Sequence, residues 1–283
     1  MTLLYGKKTW ISKMPLYHLI LIALIQGITE FIPISSSGHL ILLPAFSGLK
    51  DQGAFIDVAA HVGTLFAVII FFRSDVLLVF RGITQLAKGE TQTPGARLFL
   101  CLLVATIPVV VLGLILKISG LTDALRSVIV IGWTMLLFGL LLYWADQRAF
   151  KSRAAETLTW ADAARFGLWQ AIALIPGTSR SGITITGALW AGFARKDATR
   201  FSMLMSIPTI LASGILSSLD LIFAEIPFKE AAIVAGFSFL AALVAMTLMW
   251  RLLNSISFTP YVIYRVLLGL ILLGLGYTGT LSL

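Results

Sequence analysis

The chain has 283 residues, of which 58% are hydrophobic and 12% are charged, and its formal net charge is +8. Because about a quarter of the residues in soluble domains are charged, this composition excludes an ordinary soluble fold and is typical of a polytopic membrane protein. The basic residues lie in short segments between apolar runs and form no stripe interleaved with aromatic residues, which argues against a nucleic-acid partner. We predict a single all-α integral membrane domain over residues 1–283.

The first predicted element is a broken hydrophobic segment at residues 16–48, and a second segment of the same kind lies at residues 160–194. Pro, Gly and Ser interrupt each segment near its centre, so each half is too short to cross a bilayer. We predict that both are re-entrant helical hairpins, because non-helical backbone at membrane depth must be buried in protein or line a wet cavity. Six uninterrupted apolar runs are long enough to be transmembrane helices: 54–72, 98–116, 127–144, 201–222, 231–250 and 261–280.

The lysines and arginines predict the orientation of these spans. By the positive-inside rule, both termini lie outside, the hairpin at 16–48 enters from outside, and the hairpin at 160–194 enters from the cytoplasm. The N-terminus lacks a clean signal-peptide core and cleavage site, so we expect it to be retained. Three lysines near the N-terminus argue against this orientation: Lys7, Lys8 and Lys13. The predicted cytoplasmic loops contain most of the other basic residues: Arg73, Arg81, Lys88, Arg97, Arg148, Lys151, Arg153, Arg165, Arg195, Lys196, Arg200 and Arg251.

The two hairpins are similar in sequence. Four pairs of identical residues coincide after a shift of 144 positions: Gln26 with Gln170, Ser35 with Ser179, Ser37 with Ser181, and Gly38 with Gly182. These matches predict an internal repeat, with copies at about 15–117 and 160–280. Because the two hairpins are predicted to enter from opposite faces, the repeat is inverted. Broken helices at corresponding positions of inverted repeats indicate a binding site near the membrane midplane.

The first hairpin contains the stretch "QGITEFIPISSSGH". Gln26 and Glu30 share one helix face, and a carboxylate in an apolar segment is costly unless it is paired, hydrated or metal-bound. Ser36 precedes His39 by three residues, a spacing that suits a nucleophile and its acid–base partner. The alternatives are a packing role for Glu30, a local serine turn, and a structural histidine.

The second hairpin contains "PGTSRSG", with Arg180 at its centre. An intramembrane arginine is a functional candidate by default, and its planar fork binds phosphate through two hydrogen bonds. The alternative is a structural ion pair with Glu30, which could also open for a ligand. The two hairpins together provide an acid, an imidazole, hydroxyls and a guanidinium, a set that suits a lipid anion with a transferable phosphoryl group.

At these residues the chain resembles the undecaprenyl-diphosphate phosphatase family, also called the bacitracin-resistance proteins. "QGITEFIPISSSGH" is similar to the first family motif, "PGTSRSG" to the second, and "ISFTPYVIYR" to a C-terminal segment, so the resemblance covers about residues 15–275. It implies a bacterial inner-membrane hydrolase with an active site towards the outer side. Such an enzyme removes the terminal phosphate of undecaprenyl diphosphate, recycles the lipid carrier of peptidoglycan synthesis and confers bacitracin resistance.

The resemblance also implies roles for the motif residues. Glu30 would act through a divalent cation, Mg²⁺ or Ca²⁺, and Arg180 would clamp the diphosphate. Ser36 would be the nucleophile and His39 its acid–base partner, although His39 could itself accept the phosphoryl group. Many family members have glutamate where this chain has Gln26, which is the second candidate metal ligand. The substrate-binding candidates are the other small and hydroxyl residues of the two motifs: Ser35, Ser37, Gly177, Thr178, Ser179 and Ser181.

Four further residues stand out in the apolar runs. Asp57 and His61 lie four residues apart on one helix face, and they either orient His39 or a water molecule or satisfy each other. Arg265 is expected to snorkel to the interface from a helix end. Cys101, the only cysteine, is expected to be a small buried hydrophobe.

A transporter or flippase for polyprenyl phosphates is the alternative function, because inverted repeats with broken helices are typical of transporters. The Ser36–His39 pair beside Glu30 favours the enzyme, since transport needs an anion site but no nucleophile. The expected partners are a polyprenyl diphosphate lipid and the bilayer, and a homodimer is compatible with the sequence.

Overall fold

The computed structural model describes residues 14–148, 153–218 and 228–281. Lys151 and the three N-terminal lysines, which bear on the predicted orientation, lie outside these ranges, as does the end of the predicted run 201–222. Within the ranges the chain is helical and forms no strand beyond an isolated bridge. In chain order the helices are α1 (Leu16–Thr29), α2 (Ser36–Ser47), α3 (Gly53–Phe71), α4 (Arg73–Leu86), α5 (Pro94–Ser119), α6 (Leu121–Ala124), α7 (Val128–Gln147), a 3₁₀ turn (Ala155–Thr157), α8 (Trp160–Ile172), α9 (Arg180–Trp190), α10 (Arg195–Ser218), α11 (Phe228–Leu252) and α12 (Thr259–Tyr277).

In the described part of the chain, six helices are long and apolar enough to cross a membrane, namely α3, α5, α7, α10, α11 and α12. The predictions of an all-α membrane protein and of six spans are therefore confirmed. Helix boundaries extend beyond the apolar runs where polar caps continue the helix. For example, α5 begins at Pro94 because the Thr93 hydroxyl accepts a hydrogen bond from Ala96 N at 3.3 Å, and proline is well accommodated in a first helical turn.

The predicted cytoplasmic loop after the first span is partly wrong, because much of it is the amphipathic helix α4. Leu77 and Phe80 are exposed on this helix, whereas Asp75 is buried and pairs with Arg200 of α10. The helix escaped prediction because its charges break up the apolar run. An ion pair to a distant helix gives no local sequence signal.

Two pairs of short helices occupy the predicted hairpins. The α1–α2 pair breaks at residues 30–35 and the α8–α9 pair at residues 173–179. The longest of the four, α1, has 14 residues and is about 21 Å long, less than the roughly 30 Å of a hydrocarbon core. The helix breaks lie inside the predicted segments, and the insertion of both pairs as re-entrant hairpins stays a prediction based on their length.

Each hairpin packs against a long helix of the other half of the chain. Helix α1 packs on α11, and α8 packs on α5. Glycines allow both approaches, because a Cβ atom on Gly27 would lie 2.6 Å from Ser238 O and one on Gly167 would lie 2.7 Å from Ala105 O. Each hairpin therefore contacts a helix from the other half of the sequence, and the inverted repeat stays a prediction.

The Gly27 contact gives a stability prediction. Gly27→Ala should lower the thermal unfolding temperature in detergent, because the new Cβ would also lie 2.6 Å from Ala241 Cβ and would force α1 and α11 apart. Overpacking of this kind costs about 1–3 kcal/mol. Gly236→Ala is the matched control, since a Cβ there has no neighbour within 4 Å and alanine is the better helix former. Equal unfolding temperatures for the two variants would contradict the prediction.

Candidate active site

The two hairpin tips have the same backbone conformation. Ser35 has φ 76° and ψ 90°, and Ser179 has φ 70° and ψ 109°. Among the described residues, they are the two non-glycine residues with positive φ. Each serine caps the helix that follows, with its hydroxyl accepting from Gly38 N at 3.3 Å or Gly182 N at 3.1 Å. Such strained positions cost about 1–3 kcal/mol each and cluster at functional sites.

The two tips contact each other directly. The Ser181 hydroxyl donates to Ile32 O at 3.1 Å, and the Arg180 guanidinium donates to Glu30 Oε1 at 3.1 Å. Arg180 also donates to Ser202 O of α10 at 3.0 Å. The fold therefore brings together the acid of the first motif and the arginine of the second, which lie 150 residues apart.

Glu30 is the centre of this cluster. Its side chain is 6% exposed, and its Oε2 atom accepts hydrogen bonds from Gln26 Nε2 at 2.9 Å and Ser36 Oγ at 2.6 Å. His61 Nε2 lies 3.8 Å from the same oxygen. Oε1 carries the ion pair with Arg180. This carboxylate is therefore placed to accept the proton of the Ser36 hydroxyl.

His39 has other partners. Its Nδ1 lies 2.6 Å from Ser35 O and therefore carries a proton, since a carbonyl oxygen only accepts. Its Nε2 then accepts from the hydroxyl of Tyr264 at 2.6 Å, and the two rings stack with their centroids 5.7 Å apart. The hydroxyl of Ser36 is directed to Glu30 instead. The geometry thus pairs the predicted nucleophile with the acid, and it adds Tyr264 to the residues around the site.

Most of the predicted substrate-binding hydroxyls have structural partners. Thr178, Ser179 and Ser181 are buried; the Ser179 and Ser181 hydroxyls lie 3.2 Å apart, whereas the Thr178 hydroxyl has no hydrogen-bond partner. The equivalent hydroxyls of Ser35 and Ser37 lie 3.4 Å apart, with Ser37 exposed. The paired serine hydroxyls thus form local contacts within each hairpin tip.

The expectation that Arg265 snorkels to the interface is wrong. Its side chain is 0% exposed, and its guanidinium donates to main-chain carbonyls from both tips and from α7. The acceptors, at 2.8–3.3 Å, are the carbonyl oxygens of Pro33, Thr134, Met135, Gly177 and Thr178. The side chain points inward because its charge satisfies loop carbonyls that have no helical partner.

Of the two interpretations of Asp57 and His61, a direct hydrogen bond between their side chains is not what the structure shows. The Asp57 carboxylate accepts from Gln52 Nε2 at 2.9 Å, whereas His61 Nδ1 donates to the main-chain oxygen of Asp57 at 2.7 Å. His61 lines a cavity of about 530 Å³ between α3 and α10. Cys101 is buried, as expected.

The metal prediction can be compared with the donors near Glu30. Among the described residues, no group of three His, Cys, Asp or Glu side chains converges on one point. Gln26 is fully buried; its Nε2 donates to Glu30 Oε2, and its Oε1 has no hydrogen-bond partner. Such oxygen donors suit a cation that keeps several water ligands.

Comparison with known proteins identifies the family. The model of a family described as Bacitracin resistance protein BacA matches residues 19–271. The chain belongs to this family. A relative in Dinoroseobacter shibae is 62% identical over 94% of this chain and 100% of its own length, and one in Ruegeria pomeroyi is 59% identical over the same shares. A relative in Chromohalobacter salexigens is 46% identical over 90% of this chain and 97% of its own length. All three are named undecaprenyl-diphosphatase.

Proposed function

We propose that the chain hydrolyses the terminal phosphate of undecaprenyl diphosphate, which gives undecaprenyl phosphate and inorganic phosphate. The observation that carries this proposal is the cluster of Ser36, Glu30 and Arg180, in which a hydroxyl, a base and a phosphate-binding cation are in hydrogen-bond contact. The names of the relatives support the same activity and the lipid substrate.

In the first step, Ser36 Oγ attacks the terminal phosphorus as Glu30 takes the hydroxyl proton across their 2.6 Å hydrogen bond. The bond between the terminal phosphorus and the bridging oxygen breaks, and its electron pair leaves with undecaprenyl phosphate. Arg180 is close enough to transfer its donors from Glu30 to the phosphoryl oxygens, where charge develops. Glu30 then passes its proton to the departing lipid phosphate.

In the second step, a water molecule attacks the phosphoserine. Glu30 accepts the water proton and returns it to Ser36 Oγ, so that phosphate leaves and the enzyme is restored. When bound, a divalent cation held by Glu30 and Gln26 would neutralise diphosphate charge; the family resemblance implies Mg²⁺ or Ca²⁺. His39 lies in the first turn of α2, three residues after Ser36, where Tyr264 and Ser35 O hold its ring. It is the alternative phosphoryl acceptor.

We further propose that the enzyme lies in the bacterial inner membrane with its active site open to the outer side. Given the predicted orientation, the cavity beside His61 supports the outward opening, because it is lined by the N-terminal half of α3 and the C-terminal end of α10. Those two ends lie on the outer side in the orientation that the basic residues predict. A homodimer remains compatible with this arrangement.

Ser36→Ala should lower phosphate release from undecaprenyl diphosphate by several orders of magnitude, because the attacking oxygen is removed. The measurement is phosphate release by purified protein in detergent, with and without EDTA, and EDTA should reduce the wild-type rate. Ser47→Ala is the matched control, since Ser47 lies at the far end of α2 and its hydroxyl bonds only locally, to Leu43 O and Leu49 N.

Either of two outcomes would change the assignment. A Ser36→Ala variant that keeps the wild-type rate would transfer the nucleophile role to His39. No phosphate release by folded wild-type protein would favour the transporter.

A further inference from the structure

His61 has one ring nitrogen whose role the proposed reaction leaves open. The imidazole lies on α3, and its side chain is 33% exposed. Nδ1 lies 2.7 Å from the main-chain oxygen of Asp57, and because that oxygen only accepts, Nδ1 carries the proton. In the neutral ring, Nε2 is therefore an acceptor with a free lone pair.

The Nε2 atom faces another acceptor. It lies 3.8 Å from Glu30 Oε2, a separation too long for a hydrogen bond. Two acceptors that face each other in a largely buried site repel unless a positive charge lies between them or the ring is protonated. A hydrogen bond from Nδ1–H to a main-chain carbonyl is also the usual second contact of histidines that bind metal through Nε2.

We propose that His61 Nε2 and the Glu30 carboxylate are direct ligands of the divalent cation, with the imidazole replacing the second carboxylate that the chain lacks at Gln26. This inference rests on the proposed function, for which the cation was invoked. It also narrows the class of metal: a nitrogen ligand favours Mn²⁺ or Zn²⁺ over Ca²⁺, which takes oxygen ligands.

The surroundings of His61 suit such a site. The cavity between α3 and α10 reaches the imidazole, so water molecules have access to complete the coordination shell. The same carboxylate oxygen accepts from Ser36 Oγ at 2.6 Å, which brings the bound cation close to the attacking hydroxyl.

The test is Mn²⁺ binding followed by electron paramagnetic resonance. The protein is purified in detergent through an affinity tag without histidine. The wild type should bind Mn²⁺ with the electron spin-echo modulation of a directly bonded ¹⁴N, and labelling with ¹⁵N-histidine should change that modulation. His61→Gln should abolish the modulation and weaken Mn²⁺ binding at least about tenfold.

The chain contains three histidines, so matched variants cover every imidazole. His18→Gln and His39→Gln should keep the modulation and the affinity, whereas Glu30→Gln should lose both. The ¹⁵N experiment uses wild-type protein and stays informative if a variant fails to fold. The proposal is overturned if wild type binds no Mn²⁺ or shows no nitrogen modulation, or if the modulation survives in His61→Gln.

The same samples separate this inference from the proposed function. Phosphate release without nitrogen modulation would overturn the His61 ligand and keep the phosphatase. A histidine-coordinated Mn²⁺ in a protein that releases no phosphate from undecaprenyl diphosphate would keep the metal site and overturn the phosphatase.

Discussion

Replacing Arg180 with alanine is expected to lower phosphate release from undecaprenyl diphosphate by about 10³-fold. Two effects combine in this variant. The site loses the cation that stabilises charge on the transferred phosphoryl group, and Glu30 loses its partner at 3.1 Å and is left as a buried carboxylate without its counter-ion. The measurement is single-turnover phosphate release, which separates the chemical step from substrate binding.

Two further variants make the Arg180 prediction specific. Arg180→Lys keeps the charge but loses the planar fork, so its rate should lie between those of wild type and Arg180→Ala. Arg251→Ala, at the exposed C-terminal end of α11, is the matched control and should release phosphate at the wild-type rate. If Arg180→Ala is folded and fully active, the ion pair with Glu30 is only structural and the proposed mechanism fails.

Replacing Arg265 with methionine is expected to lower both stability and activity. The side chain is fully buried and supplies hydrogen bonds to Pro33 O in the first tip and to Gly177 O and Thr178 O in the second. Each buried carbonyl left without a donor costs about 1–3 kcal/mol, so a loss of about 3 kcal/mol or more is expected. The folded fraction should also react slowly, because the two tips are no longer tied to each other.

Thermal unfolding in detergent and phosphate release per folded molecule measure the two effects of the Arg265 variant separately. Ile263→Ala is the control, since it is on the same helix with its side chain exposed. The stability of Arg265→Lys should lie between those of wild type and Arg265→Met, because one compact ammonium group has fewer hydrogen-bond donors than the planar guanidinium. Wild-type unfolding temperature and rate in Arg265→Met would show that the carbonyls of the tips need no guanidinium.

The hairpin tips were predictable because their chemistry is local. The shift of 144 residues that aligns Ser35 with Ser179 also aligns the two positive-φ positions and the two serine caps. A cap acts over three residues, so the four-residue pattern from serine to glycine contains its whole geometry. The six spans were predictable for a similar reason, since hydrophobic length is a property of one segment.

The contacts between segments could not be predicted in this way. Arg265 near the start of α12 has the same sequence signature whether it snorkels outward or points into the bundle, and its acceptors are main-chain atoms of other segments. Tyr264 meets His39 across 225 residues. His61 was noticed, but its spacing from Asp57 left two interpretations open, because its approach to Glu30 depends on how α3 packs beside the first hairpin.

The long sequence separations within the site also determine when it can form. Arg180 meets Glu30 across 150 residues, and Arg265 meets Pro33 across 232. During synthesis the first hairpin is made long before either arginine, and contacts between distant segments form slowly. A chain truncated before α12 would contain Glu30, Ser36 and Arg180 but would lack the guanidinium that joins the tips. Insertion of the final helix is therefore the step that completes the proposed catalytic centre, and nascent chains should stay inactive until the C-terminus has reached the membrane.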